Sequence, residues 1–110
     1  MSYNLTLTDR DGCFRTAYLA PGQPMEVRAF PLATNHRFDR PDDLVQARRF
    51  RSLERQEHLI GLLQDKPHPD VVAKEFLREP LRRSDYDNGF GTLYTADYRP
   101  GSGEVHYRWP

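Results

Sequence analysis

Apolar and polar residues alternate strictly at the start of the chain, where Tyr3, Leu5 and Leu7 interleave with Asn4, Thr6 and Thr8. A period of two is the signature of a strand, because successive side chains point to opposite faces of the backbone. Asp11-Gly12 then supplies a tight-turn pair, and Phe14 to Leu19 resumes with aromatic and β-favouring residues, which predicts a β-hairpin. Ala20-Pro21-Gly22-Gln23-Pro24 breaks the pattern. Met25 to Phe30 reads as a third short strand ended by Pro31, and Leu32 to His36 as a fourth extended piece.

The period changes after a polar loop at 37–41. Asp42 or Asp43 is placed to cap a helix running to about Leu63, with Leu44, Ala47, Leu53, Ile60 and Leu63 on an apolar stripe. His68-Pro69-Asp70 opens a shorter helix with Pro69 in the first turn; Val72, Phe76 and Leu77 are expected to face a core before Pro80 stops it. Beyond the polar loop at 82–89, alternation returns from Phe90 to Tyr98. It continues after Arg99-Pro100-Gly101-Ser102-Gly103, with Val105, Tyr107 and Trp109 opposing Glu104, His106 and Arg108. The order of elements predicts an α+β fold, a mainly antiparallel sheet with two helices on one face. Two apolar-faced hairpins under one helical layer leave face and edge uncovered, so a second copy or a second polypeptide is expected as partner. A last strand that runs into Trp109-Pro110 without a polar cap reads as a cut through a larger domain.

Composition narrows this picture. A chain of 110 residues predicts a single unit spanning 1–110. Lys+Arg and Asp+Glu are both 16, which argues against nucleic-acid or anionic-membrane partners, since those usually require a cationic surplus. A mean hydropathy of -0.82 implies a thin or shared core. Apolar runs such as Leu59-Ile60-Gly61-Leu62-Leu63 fall far short of the roughly 20 residues that cross a bilayer. Asp9, Arg10, Asp11 and Arg15 interrupt any secretory signal, and a lone Cys13 excludes an internal disulfide; a cytoplasmic location is the expectation.

Several segments together resemble a known family. They are Asn4-Leu5-Thr6-Leu7 with Asp11-Gly12, Tyr18-Leu19-Ala20-Pro21-Gly22, Ala33-Thr34-Asn35-His36, the stretch Asn88-Gly89-Phe90-Gly91-Thr92-Leu93-Tyr94-Thr95, and Glu104-Val105-His106-Tyr107-Arg108-Trp109-Pro110. In order and spacing they resemble the C-terminal third of the choloylglycine hydrolase and isopenicillin N acyltransferase group of N-terminal-nucleophile hydrolases. The resemblance implies part of an αββα sandwich whose N-terminal Cys, exposed by self-cleavage, attacks an amide or thioester carbonyl with its own α-amine as base. It implies a complementary N-terminal polypeptide as partner; no cofactor and no metal are expected.

Asn35 is the sharpest candidate. The resemblance implies that its side-chain N–H donates to the tetrahedral oxyanion; an amide suits that task because it stabilises negative charge without titrating. Asn35 as a simple turn residue is the competing reading. Arg55, in Ser52-Leu53-Glu54-Arg55, resembles a helical Ser-x-x-Arg segment whose Arg orders the nucleophile's surroundings. Its alternative is a solvated helix face on which Glu54 and Glu57 balance Arg48, Arg49 and Arg51.

Cys13 follows a turn beside Asp11, conditions that do little for a thiolate, and does not match the family's N-terminal Cys. Ser2 lies ahead of a strand resembling the interior of the catalytic domain, so it is not expected to serve as nucleophile. His36 has no evident partner, and the four histidines show no ligand-pair spacing, which argues against a metal site. Gly89 and Gly91 lead into a strand and make no phosphate loop. The chain is expected to be inactive alone, as one part of a linear-amide hydrolase or acyltransferase. The alternative is a stand-alone, non-catalytic α+β interaction module that oligomerises through its exposed sheet.

Overall fold

In the computed structural model, which describes residues 3–36 and 44–110, β1 (Tyr3–Thr8) and β2 (Phe14–Leu19) form the hairpin that the alternation predicts. Its turn is built locally. Asp9 Oδ1 accepts from the backbone N–H groups of Asp11 and Cys13, both at 2.9 Å, and Gly12 takes the left-handed φ of 82° that few other residues tolerate. A third strand, β3 (Glu26–Arg28), pairs antiparallel with β2, giving the order β1-β2-β3. Leu32 to His36, expected to be extended, forms no strand.

The helical region departs from the expected single helix. It is divided into α1 (Leu44–Arg49) and α2 (Ser52–Gln64). Arg51 adopts a φ of 52° between them, which interrupts the helical path, and its guanidinium then grips Glu54 in the first turn of α2 through Nε at 2.7 Å and Nη2 at 2.8 Å. Of the expected apolar stripe, Ala47 is buried while Leu44, Leu53 and Ile60 are exposed. The proposed caps Asp42 and Asp43 lie outside the described residues.

Helix α3 (Pro69–Glu75) starts as expected, with Pro69 in the first turn and His68 Nδ1 accepting from the Asp70 N–H at 3.2 Å. The final segment contains the short pair β4 (Ser84–Asp85) and β5 (Phe90–Gly91), then the hairpin of β6 (Thr95–Arg99) and β7 (Glu104–Arg108). Among the described residues the fold is therefore α+β with three separate antiparallel sheets and three α-helices, where one sheet and two helices were expected. Pairing between distant strands is not encoded in local alternation, so the hairpins were legible and their failure to merge was not.

The described chain clusters into two compact units, Met1–Glu57 and His58–Pro110, with the division inside α2. In the first, Tyr18 is 1% exposed and Thr16 0%, with Leu32 and Ala47 also buried. The hairpin faces are the reverse of a simple amphipathic strand. Asn4, Thr6, Thr16 and Tyr18 point inward, whereas Tyr3, Leu5, Leu7, Leu19 and Val27 are exposed. Burial of hydroxyls is tolerated because they form a chain: Thr16 Oγ1 donates to the Phe30 carbonyl at 2.7 Å, so Thr6 Oγ1, 2.8 Å away, is the donor to Thr16.

In the second unit Leu59, Ala73 and Leu81 are buried. The β6–β7 hairpin shows the same reversal. Asp70 of α3 accepts from Arg108 Nη2 at 2.8 Å and Arg99 Nη2 at 3.3 Å, so the charged face of the hairpin is tied to α3. Tyr94, Tyr98, Val105, Tyr107 and Trp109 are exposed, with Tyr94 meeting Tyr107 and Trp109 edge to face at 5.4 Å each. Among the described residues no helix is long and apolar enough to cross a membrane.

Candidate functional site

The segment Thr34-Asn35-His36 leaves the first sheet and meets the start of α2. Helical periodicity places Ser52, Gln56 and Arg55 within one turn of each other, and all three engage this segment. Ser52 Oγ, 0% exposed, hydrogen-bonds His36 Nδ1 and also Thr34 Oγ1 at 3.1 Å. Gln56 Oε1 lies 2.9 Å from His36 Nε2. An amide oxygen only accepts, so Nε2 carries a proton and Nδ1 is left to engage the hydroxyls. The His36 ring, expected to lack a partner, is thus 8% exposed and engaged at both nitrogens.

From the other side, Asn4 of β1 points inward, and its Nδ2 donates to the backbone carbonyls of Thr34 and, at 3.0 Å, of His36. One donor group therefore braces the peptide on both sides of Asn35. Asn35 itself is exposed, and its Oδ1 accepts from Arg55 Nη1 at 3.0 Å. The two residues singled out from sequence, 20 positions apart, are brought into direct contact. With Oδ1 held by a guanidinium, the Nδ2 hydrogens are the donors that remain on this exposed amide, a group suited to an acceptor such as a carbonyl oxygen or an oxyanion.

The remaining candidates fall elsewhere. Cys13 is an exposed free thiol in the β1–β2 turn, and His36 engages Ser52, Thr34 and Gln56, so the Cys13–His36 pairing is not formed. Ser2 lies outside the described residues. Among the described residues no group of three or more His, Cys, Asp or Glu side chains is arranged to hold a metal ion. His58 pairs with Glu75 at 3.0 Å and His68 caps α3, both within the second unit.

Sequence reasoning missed Asn4, Ser52 and Gln56. Ser52 and Gln56 stand at i and i+4 on one helix face, a spacing visible in the sequence, but their target His36 lies 16 and 20 residues upstream. Comparison with models of protein families, with curated proteins and with solved structures finds no match to this chain.

Proposed function

We propose that this chain supplies the oxyanion-stabilising part of an acyl-transfer site acting on a linear amide or thioester, with Asn35 as the donor and the nucleophilic cysteine carried by a complementary polypeptide segment. The observation that carries this reading is the Arg55–Asn35 hydrogen bond, which ties Oδ1 of an exposed amide and leaves its Nδ2 hydrogens as the donors for a ligand. The motif resemblance to the choloylglycine hydrolase group supports the same assignment.

In this reaction the thiolate adds to the carbonyl carbon, the C–S bond forms, and the carbonyl electron pair moves onto oxygen. Asn35 Nδ2–H donates to that oxygen. Collapse of the intermediate breaks the C–N or original C–S bond, the leaving amine or thiol takes a proton from the conjugate acid of the base, and water or an acceptor amine then takes the acyl group. Arg55 orients Asn35 and adds positive charge nearby. Ser52 meets His36 beside Asn35 but has no exposed surface to offer a substrate.

The chain by itself is expected to show no turnover of penicillin V, a conjugated bile salt or an acyl-homoserine lactone. Activity is expected to appear when it is co-expressed with a segment that begins, after processing, with cysteine. Turnover by the isolated chain that disappears in Cys13→Ala or Ser2→Ala would overturn the assignment.

A second reading, a non-catalytic interaction module, is favoured by the exposed aromatic face of β6–β7. A specific interface covers about 800 Å² per partner, and zero formal charge leaves no net repulsion between two copies. On this reading sedimentation shows concentration-dependent dimers, and Tyr98→Asp with Tyr107→Asp returns the monomer. A monomer at every concentration rules out self-association.

A further inference from the structure

An exposed asparagine is ordinarily a poor electrostatic catalyst, because a side chain free to rotate must be ordered at the moment charge develops. Donors fixed beforehand avoid that cost. The surroundings of Asn35 are arranged to fix it, and the groups responsible come from three parts of the first unit.

We propose that Asn4 and His36 are positioning residues for Asn35, holding its backbone from opposite sides so that Arg55 can hold its side chain in one orientation. This rests on the oxyanion reading for what the aligned amide does, and on the hydrogen bonds alone for the alignment. Asn4 Nδ2 carries two hydrogens, and the two carbonyls it meets belong to Thr34 and His36, the residues on either side of Asn35. A single side chain therefore fixes the separation of these carbonyls and the curvature between them. His36 anchors the same segment to α2: its ring meets Ser52 at one nitrogen and Gln56 at the other. Thr34 Oγ1 closes the brace through its hydrogen bond with Ser52 Oγ at 3.1 Å.

Arg55 rises from the same helix one turn beyond Ser52, so the helix that anchors His36 also sets the distance from the guanidinium to Asn35 Oδ1. Backbone and side chain of Asn35 are thereby referred to one rigid element. The group left for a ligand is a pair of N–H donors beside a cation, which selects an oxygen acceptor bearing full or partial negative charge and disfavours donors such as ammonium groups.

The two levels of the brace separate experimentally by ¹⁵N relaxation of the Asn35 side-chain and backbone amides in the full chain. In the wild type both are expected to be ordered, with order parameters near 0.85. Arg55→Ala, at a half-exposed helical position, is expected to drop the side-chain value below about 0.6 while the backbone value holds. Asn4→Ala is expected to lower both. Arg55→Lys, which restores a donor without the planar fork, recovers part of the side-chain order.

A wild-type Asn35 side chain below about 0.6 overturns the proposal without any variant, so an unfolded Asn4→Ala protein leaves it falsifiable. A folded Asn4→Ala protein with unchanged Asn35 order overturns it as well. An ordered Asn35 whose replacement leaves turnover intact in the co-expressed assembly removes the oxyanion reading and leaves the brace standing.

Discussion

With a nucleophile-bearing segment supplied by co-expression, Asn35→Ala is expected to lower kcat about 10²- to 10³-fold and to leave KM nearly unchanged. The asymmetry follows from where the charge is. A ground-state carbonyl oxygen carries a partial charge and loses little when one donor is removed, whereas the tetrahedral oxyanion carries a full charge. The suitable control is Asn88→Ala. Asn88 is also an exposed asparagine with an engaged side chain, at the end of a short 3₁₀ turn, its Nδ2 donating to Asp85 Oδ1 at 2.8 Å, but it lies in the second unit and far along the chain from Asn35. Near-normal kcat in Asn35→Ala with a loss in Asn88→Ala would leave Asn35 as a turn residue.

The second large effect concerns stability. His36→Leu is expected to cost roughly 1 to 3 kcal/mol, because it removes one partner of the buried Ser52 hydroxyl and the ring partner of the half-buried Gln56 amide oxygen. Leucine replaces much of the ring's volume, so the loss reports unpaired polar groups more than a cavity. Against a typical total of about 5 to 15 kcal/mol this is a large fraction, and it reads out as a lower denaturation midpoint in urea. His106→Leu, on an exposed stretch of β7, is expected to change the midpoint by less than about 0.5 kcal/mol. Equal midpoints for the two variants would contradict the buried role of His36.

Local chemistry explains what the sequence makes legible. The β1–β2 turn is specified by an Asp side chain that satisfies two N–H groups and by a glycine at positive φ, all within five residues. The start of α3 is specified by the His68-Pro69 pair in the same way. The division between α1 and α2 is not legible, since it depends on Arg51 entering the left-handed region, which no glycine or proline announces. Alternation in Tyr3, Leu5 and Leu7 reveals that the strand has two unlike faces. It does not reveal that the polar face, through Asn4, would be the one turned toward Thr34 and His36.

The candidate site divides along the same line. Asn35 and Arg55 were found through motif resemblance, and their contact is a non-local fact that neither residue's neighbourhood encodes. Nothing local marks Asn4 as a brace for this segment, because its targets are 30 and 32 residues away. A lone histidine in a polar segment gives no hint that a serine and a glutamine one helical turn apart await it. Such buried polar networks are read from three dimensions or not at all.

The oxyanion role is tested most directly by the affinity of a substrate-derived aldehyde for the co-expressed assembly. A cysteine thiolate adds to the aldehyde carbon, the C–S bond forms, and the carbonyl oxygen becomes the tetrahedral oxygen that Asn35 is assigned to meet. Asn35→Ala is predicted to weaken the aldehyde by about 10²-fold or more while the dissociation constant of the parent amide stays the same. Equal aldehyde affinity in the wild type and in Asn35→Ala, in a protein that retains substrate binding, would contradict the assignment of Asn35 as the oxyanion donor.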